Sequence, residues 1–253
     1  MNKRFFGLTL LVLVSTFGLK FTSAFFSDGA LSSTNTFSAA EVFPTGIPTP
    51  TPTVSITPTP VNIASHLVIS EVQIDGGPGN ADKDFIELYN PTNSSIDLLG
   101  YRLIKRSGNS SSDDLIKSWT TSTIVPSHGY YLWANGSIPS YPSSISADTE
   151  TNDDLTNSST VALRNGPNDT GVLIDAVSWT SPSTLAEGTA ITSAPGDNQS
   201  VERKAYTTST ATSMITGSDI SKGNGYDSNN NSTDFLLRTL SQPQNTSSPT
   251  ETP

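Results

Sequence analysis

Apolar residues recur at every second position from residue 66 onward, and this periodicity constrains the fold more strongly than any other feature of the sequence. In the stretch DFIELYN, the side chains of Phe85, Glu87 and Tyr89 fall on one face of an extended strand, and the intervening residues fall on the other. An amphipathic helix would need a period of 3.6 residues, and no window supports three turns of one. The sequence therefore predicts an all-β chain.

Residues that favour turns separate the predicted strands. Segments 90–95, 126–129 and 165–167 contain Asn, Pro, Ser, His or Gly, and most of these residues are common in tight turns. The predicted strands lie in HLVISEVQI, DFIELYN, IDLLGYRLIK, STIVP, GYYLWAN, TVALRN, VLIDAVSW, SVERK and DFLLR. A series of short strands joined by turns predicts a β-sandwich or a β-barrel.

Residues 1–24 have the layout of a secretory signal peptide. Lys3 and Arg4 precede an apolar run, and the small residue Ala24 stands at the predicted cleavage point. The run is shorter than the ~20 residues that a membrane-spanning helix needs, so cleavage is favoured over an uncleaved anchor. We expect a secreted or cell-surface protein that contacts the membrane only during export or through an uncleaved signal.

The folded domain is expected to follow a spacer. Residues 25–43 would begin the mature chain, and residues 44–62 are rich in Pro and Thr, which favours an extended, disordered stalk over a packed core. We expect the β-sandwich domain over residues 63–245 and a disordered tail over 246–253.

The composition argues against several kinds of partner and site. The formal net charge is −10, so the chain would repel backbone phosphates and a nucleic-acid partner is unexpected. The chain contains no Cys, which rules out disulfides, thiolate nucleophiles and Cys-ligated zinc.

The signal and the segment after it resemble those of camelysin-type and biofilm-matrix proteins of bacteria, which are cut by a dedicated signal peptidase. In that pattern a Gly stands where this chain has Ala40. The resemblance implies a bacterial, exported protein, and it raises a structural extracellular-matrix component as one alternative. The shared residues are Ala24, Phe26, Ser27, Asp28, Asn35, Thr36, Phe37 and Ala39.

The predicted strands themselves resemble those of the lamin tail domain over residues 66–245. The resemblance implies an immunoglobulin-like β-sandwich that serves as a non-catalytic binding module. Longer loops rich in Ser, Asn and Asp, at 107–123, 137–160 and 207–230, depart from the family pattern, so the family does not indicate what they bind. The matching pieces, in family order, are LVISEV, DFIELYNPTNSSIDLLGYRLI, VPSHGYYLWAN, SSTVALRN, LIDAVSW, QSVERK and NNNSTDFLLRTLSQPQN.

Two glutamates raise an enzymatic alternative. Glu71 and Glu87 could supply the acid and base of a small secreted hydrolase of the glycosidase type. Both lie on predicted strands, however, where Arg102 or Arg203 would pair with them. We therefore expect a structural ion pair and no catalytic residues.

The histidines offer no second catalytic arrangement. His66 and His128 are the only two, and neither lies near a Gly-x-Ser-x-Gly nucleophile elbow. Both are expected to be solvated turn residues.

Aromatic residues raise a sugar-binding alternative, because their rings present flat apolar faces with polar edges. Core packing is the preferred interpretation for each of them. The candidates are Trp119, Trp133, Trp179, Tyr101, Tyr130, Tyr131 and Tyr141.

The stretch GNGYDSNNNSTDF places oxygen-bearing side chains at alternate positions, as in the first half of a calcium-binding loop. Ser232 replaces the turn glycine of an EF-hand and Arg238 replaces its bidentate glutamate, so ordinary turn chemistry is preferred. Calcium is the only cofactor that the sequence suggests. The candidate ligands are Asp227, Asn229, Asn231 and Asp234, and a second oxygen-rich cluster holds Asp75, Asp82 and Asp84.

These observations predict a secreted or surface-exposed binding or adhesion module. Loops at the ends of an immunoglobulin-like sandwich usually carry recognition, so the long loops are where a partner is expected to bind. The expected partner is an extracellular protein or an envelope glycan.

Overall fold

The computed structural model of the chain describes residues 62–136, 146–179 and 182–253. The predicted signal peptide with Ala24, the segment 25–43 and the stalk up to residue 61 lie outside these described residues, as does Tyr141.

The regular elements of the described residues are mostly β-strands, as the period of two predicts. In chain order the elements are β1 Val68–Gln73, β2 Phe85–Tyr89, β3 Ile96–Asp97, β4 Tyr101–Ser107, β5 Asp114–Ser118, β6 Ile124–Val125, β7 Tyr130–Asn135, β8 Thr149–Thr151, β9 Ser159–Asn165, β10 Val172–Ser178, β11 Ser200–Arg203, α1 Ala211–Ile215, α2 Asn231–Asp234 and β12 Phe235–Arg238.

Two sheets form the body of the domain. Six strands pair in the spatial order β12-β11-β1-β2-β7-β8, and four pair in the order β10-β9-β4-β5. All neighbouring strands are antiparallel except β7 and β8, which run parallel. A small third ladder joins β3 to β6.

The core lies between the six-stranded and the four-stranded sheet. Ile69, Ile86 and Trp133 project into it from the first sheet, and Leu163 and Val177 project from the second. Burying apolar side chains from both sheets contributes about 25 cal/mol per Å² of apolar area removed from water. The architecture is an immunoglobulin-like β-sandwich, which confirms the predicted fold class.

Two strands were not predicted, and both lie at sheet edges within loops that the sequence marks as polar. In β5 only Ile116 is buried, and β8 has no buried residue. An edge strand can take its order from main-chain pairing with one neighbour, so it does not need the alternating apolar residues that identify a strand in a sequence.

The outer face of the six-stranded sheet is covered by the C-terminal segment, residues 239–253. The N–H groups of Gln242 and Gln244 donate to side chains on β1 and β2. The hydroxyl of Tyr130 donates to Oε2 of Glu251 at 2.7 Å, and the N–H of Glu251 donates to the carbonyl of His128 at 2.9 Å. These contacts contradict the predicted disordered tail over 246–253, because main-chain and carboxylate groups there find buried partners on the sheet.

The helices of the described residues are short. The longer of the two, α1, has five residues and is capped by Thr210, whose hydroxyl accepts from the N–H of Ser213. None of the described helices has the length and apolar character needed to cross a membrane.

Candidate functional site

A shallow groove lies at one end of the four-stranded sheet, where β4 begins and β5 ends. Its volume is about 310 Å³, and apolar surface predominates in its lining. The lining residues are Leu99, Gly100, Tyr101, Arg102, Ser118, Trp119, Thr120, Gly166 and Pro167.

Main-chain hydrogen bonds join the segments that form this groove. The N–H of Gly100 donates to the carbonyl of Trp119 at 2.9 Å, and the N–H of Gly166 donates to the carbonyl of Gly100 at 3.0 Å. Gly100 has a φ of 88°, a left-handed conformation that glycine adopts without steric cost. The groove is therefore built on turns that the sheet itself holds in place.

Exposed aliphatic side chains occur in the groove at Leu99 and on neighbouring segments of the chain at Val172 and Ile124. Leu99, in the turn before β4, is 53% exposed, and Val172, at the start of β10, is 67% exposed. Ile124 is also exposed and pairs through its backbone with Asp97. At the rim, Nη1 of Arg102 donates to Oδ1 of Asn168 at 3.1 Å. Apolar side chains around a groove with an arginine at its rim resemble the composition of a protein-binding surface.

The aromatic candidates are core residues, as the preferred interpretation predicts. Nε1 of Trp119 donates to the hydroxyl of Tyr131 at 3.2 Å, and the two rings meet edge to face. Tyr101 is the half-buried member of the described set. The buried members are Trp119, Trp133, Trp179, Tyr130 and Tyr131.

Glu71 and Glu87 lie directly opposite each other on β1 and β2, and both are buried. The hydroxyl of Ser70 donates to Oε1 of Glu87 at 2.5 Å, and the N–H of Gln244 donates to its Oε2 at 2.5 Å. Glu71 accepts from the hydroxyl of Ser200 and from the main chain of the C-terminal segment. Both carboxyl groups are covered, so the geometry gives them a structural role and no open substrate position.

The cation nearest to these glutamates is not one of the two that the sequence suggests. Arg238 on β12 pairs with Glu202, the residue opposite Glu71 on β11. Arg102 instead contacts Asn168, and Arg203 pairs with Asp175. The predicted pairing of the two glutamates with Arg102 or Arg203 is therefore wrong. The glutamates lie on the six-stranded sheet, whereas both arginines contact acceptors on the four-stranded sheet or its turns.

Burial governs the protonation of the paired glutamates. Removal from water raises the pKa of Glu71 to about 7, despite hydrogen bonds from Ser200 and Gln242 that lower it. Burial raises the pKa of Glu87 well above its ordinary value, and the neighbouring Glu71 raises it further. The pair therefore holds at least one proton over much of the neutral range.

The predicted calcium ligands do not face one common point. Both polar atoms of the Asn231 amide are used by β10, since Oδ1 accepts from the N–H of Ser178 at 3.0 Å and Nδ2 donates to the carbonyl of Ala176 at 2.8 Å. Asp234 accepts from the main chain of Ser228 and Asn230. Asn231 is therefore not available as a ligand, because its side chain ties α2 to the neighbouring sheet.

Arg203 supplies positive charge beside the other acidic members of that loop. Its Nη1 lies 3.5 Å from Oδ1 of Asp227 and 3.9 Å from Oδ2 of Asp234. Its Nη2 donates to both oxygens of Asp175 at 2.7 and 2.8 Å. Within the described ranges, no group of three or more His, Asp or Glu side chains is arranged to hold a metal ion.

The two histidines lie in irregular segments, as expected, but both are half-buried rather than fully solvated. His66 precedes β1, and its Nε2 lies 3.8 Å from Oδ2 of Asp227. His128 lies in the turn before β7 with a φ of 56°, and its Nε2 lies 3.0 Å from Oδ1 of Asn93. Neither arrangement places a hydroxyl nucleophile against an imidazole base.

One charged cluster has no counterpart among the sequence-based candidates. Asp113, just before β5, accepts from Nε of Arg106 at 2.7 Å and from Nε of Arg164 at 2.6 Å. It also accepts from the N–H of Asp169 in the β9–β10 turn at 2.6 Å. The sequence signal for such a carboxylate is the presence of Arg106 and Arg164 on predicted strands, since each needs an acidic partner.

The second oxygen-rich cluster lies at an end of the six-stranded sheet. Asp84 is buried at the start of β2, whereas Asp75 is half-buried and Asp82 is exposed. The β8–β9 connection brings Asp154 to the same place. The sequence identified three members of this group, but not the fourth, which lies 70 residues farther along the chain.

Comparison with known proteins identifies one family. The model described as the Lamin Tail Domain matches residues 60–181, a range that spans β1 to β10. No curated protein matches the chain. The chain is therefore similar to the Lamin Tail Domain over residues 60–181.

Proposed function

We propose that this protein is a secreted, non-catalytic module that binds an extracellular protein through the groove at the β4–β5 end of its sandwich. The observation that carries the proposal is the exposure of Leu99 in a largely apolar groove whose turns are held by main-chain hydrogen bonds. Preformed loops at the end of a sandwich lose little conformational entropy when they bind.

A protein partner is favoured over a glycan by the side chains available. Trp119 lines the groove but is only 4% exposed, and the indole rings of Trp133 and Trp179 are buried, whereas the aliphatic Leu99 in the groove is 53% exposed. Leu99, Ile124 and Val172 suit an apolar side chain of a partner, and Arg102 suits a polar group at the rim. An envelope glycan is the second candidate.

Secretion is part of the proposal and rests on the sequence. Residues 1–24 have the layout of an export signal, and the Pro- and Thr-rich residues 44–62 suit a stalk that displays the domain. N-terminal sequencing of the protein recovered from culture medium is expected to begin at Phe25. A cell-retained chain that begins at Met1 would contradict cleavage after Ala24.

The binding function can be tested by co-sedimentation with washed envelopes of the source organism. The mature chain is expected to pellet saturably, and Leu99→Asp combined with Val172→Asp is expected to abolish pelleting. Leu240→Asp is the matched control, since Leu240 is 65% exposed but lies on the segment after β12. Equal pelleting of all three proteins would rule out the groove as the binding surface.

Treatment of the envelopes separates the two partner classes. Pelleting that is lost after protease digestion supports a protein partner, and pelleting that survives digestion but is lost after glycosidase treatment supports the glycan. An absence of pelleting with untreated envelopes would shift the proposal towards a matrix component, which would be recognised by concentration-dependent fibre formation.

A small hydrolase that uses Glu71 and Glu87 is not favoured, since lamin tail domains are generally non-catalytic and both carboxyl groups are covered. Hydrolysis of a chromogenic glycoside that is lost in Glu87→Gln would restore this alternative.

A further inference from the structure

Three glutamates stand side by side on one face of the six-stranded sheet. Glu71 on β1 lies directly opposite Glu202 on β11 and also directly opposite Glu87 on β2. Glu71 and Glu87 are buried, and the side chain of Glu202 is only 13% exposed. Like charges at directly opposite positions of neighbouring strands repel each other, and burial strengthens the repulsion. The row is therefore costly when all three carboxyl groups are ionised.

A single guanidinium faces this row of three carboxyl groups. Arg238 on β12 pairs with Glu202, and its positive charge also lowers the pKa of Glu71. Its Nη2 donates to Oε1 of Gln242 at 2.5 Å, so it holds the C-terminal segment as well. One positive charge does not balance three negative ones, so a proton on the Glu71–Glu87 pair relieves the excess.

The C-terminal segment, residues 239–253, removes the pair from water. The N–H of Gln242 donates to Oε1 of Glu71 at 3.2 Å, and the N–H of Gln244 donates to Oε2 of Glu87 at 2.5 Å. Burial raises the pKa of Glu71 to about 7 and that of Glu87 well above its ordinary value. The other titratable groups that face or adjoin the pair are Tyr89 on β2, Tyr130 on β7, Glu202 on β11, Arg238 on β12, Glu251 of the C-terminal segment, Asp148 before β8, and Asp219 and Lys222 between α1 and α2.

The C-terminal segment is attached mainly by hydrogen bonds to carboxyl groups. Within this segment, which the structure describes throughout, only Asn245 is buried. A cavity of about 210 Å³ lies along it, lined by Gln242, Gln244 and Glu251 on one side and by Met214 and Ile220 on another. A segment with little apolar burial and a cavity at its side can separate from the sheet without global unfolding.

We propose that the C-terminal segment is a pH-dependent cover, which stays closed while the Glu71–Glu87 pair holds a proton and opens as that proton is lost at higher pH. The covered state binds protons more tightly, because burial is the largest cause of the raised pKa values. Opening returns the pair to water and releases protons, so a rise in pH favours the open state. Each group that releases its proton raises the opening equilibrium constant by up to about tenfold per pH unit.

Opening would expose a second surface of the sandwich. Leu132 on β7 lies directly opposite Glu87, and Tyr130, on the same strand, donates to Oε2 of Glu251 at 2.7 Å. Both residues are fully buried in the closed state. This face is distinct from the groove where β4 begins and β5 ends, so its exposure does not depend on the proposed binding function.

Hydrogen exchange of the full chain between pH 5 and pH 8, corrected for the chemical exchange rate at each pH, measures opening directly. We expect the opening constant at the N–H groups of Gln242 and Gln244 to rise at least about tenfold over this range. The N–H groups of β9, Ser159–Asn165, should remain more protected at every pH, because this central strand exchanges through global unfolding.

Matched glutamate variants separate the pair from the general effect of charge. Glu71→Gln removes the group that titrates near neutral pH, so the opening constant at Gln242 and Gln244 should change less than about threefold between pH 5 and pH 8. Glu150→Gln makes the same change at an exposed position on β8 of the same sheet, and it should keep the pH dependence of the native chain.

Three results would overturn the proposal. The first is an opening constant in the native chain that does not change with pH. The second is equal protection of the C-terminal segment and β9 at every pH, which would mean that the segment leaves the sheet only on global unfolding. The third is an unchanged pH dependence in Glu71→Gln. If that variant does not fold, the comparison with β9 in the native chain decides, because it needs no substitution.

Discussion

Arg203 on β11 and Asp175 on β10 form a fully buried ion pair that joins the two sheets of the sandwich. Nη2 of Arg203 donates to both carboxylate oxygens of Asp175, and its Nε donates to the carbonyl of Ile69 at 2.9 Å. The guanidinium also stacks on the ring of Phe235, 4.6 Å from its centre. Oδ2 of Asp175 accepts in turn from the N–H of Ile69 at 2.5 Å.

Breaking this pair on one side should destabilise the protein strongly. Arg203→Met leaves Asp175 buried without its cation, and we expect a loss of about 3–5 kcal/mol in the free energy of unfolding, measured by urea denaturation. The double variant with Asp175→Leu should recover part of that loss, because no isolated charge remains. A single variant within about 0.5 kcal/mol of the native protein would contradict a structural role.

The paired glutamates on β1 and β2 should make stability fall as the pH rises. Glu71 titrates near 7 in the folded protein and near its ordinary value of 4.5 when unfolded, so the folded state binds more protons between these values. The stabilisation is complete below about pH 4.5 and is lost as the pH rises towards 7, with a slope of at most about 1.4 kcal/mol per pH unit per group.

Urea midpoints measured in chelator at several pH values between 5 and 8 test this dependence. Glu71→Gln carries no titrating group and should flatten the slope, with little loss of stability at pH 8. An unchanged slope in this variant would show that another group, such as Glu187 with a pKa raised by burial to about 9, governs the dependence.

Asn231 should stabilise the contact between α2 and β10 through its side-chain hydrogen bonds, rather than bind calcium. Asn231→Ala removes the acceptor for the N–H of Ser178 and the donor for the carbonyl of Ala176, at an expected cost of about 2–3 kcal/mol. Asn229→Gly is the matched control: with a φ of 56°, this position suits glycine, and we expect a change within about 0.5 kcal/mol. A loss in Asn231→Ala that appears only with calcium present would support the ligand role instead.

Asp113 should be needed to hold the arginines on the outer face of the four-stranded sheet. Asp113→Ala leaves Arg106 and Arg164 without their shared carboxylate, and we expect the free energy of unfolding to fall by about 3 kcal/mol. Asp114→Ala, at the exposed neighbouring position, should change it by no more than about 1 kcal/mol. Similar effects of the two substitutions in thermal denaturation would contradict this assignment.

The C-terminal segment should stabilise the sheet that it covers. A chain that ends at Asn245 lacks Glu251, whose side chain accepts from Tyr130 and whose carbonyl accepts from Tyr89. We expect a loss of about 2 kcal/mol or more and faster cleavage by protease near Gln242. An unchanged melting temperature would restore the disordered tail that the sequence alone predicts.

The positions of most strands could be predicted from the sequence because alternation is a local property. Ile86 and Leu88 had to share one face whatever the strand paired with, and both point into the core. The same reasoning put Glu87 on the opposite face with Phe85 and Tyr89. It could not show that this second face is also buried, since residues 239–253 cover it only in the folded chain.

The sequence by itself determined the fold class, the strand order along the chain and the acidic loops, since period, turn residues and charge can all be read within a few residues. Only the tertiary structure decided which charges meet. Asp175 and Arg203 are 28 residues apart, and Asp84 and Leu155 are 71 apart. Partner choice at such separations depends on sheet register and on which groups lose water together, and neither property belongs to any one stretch of the sequence.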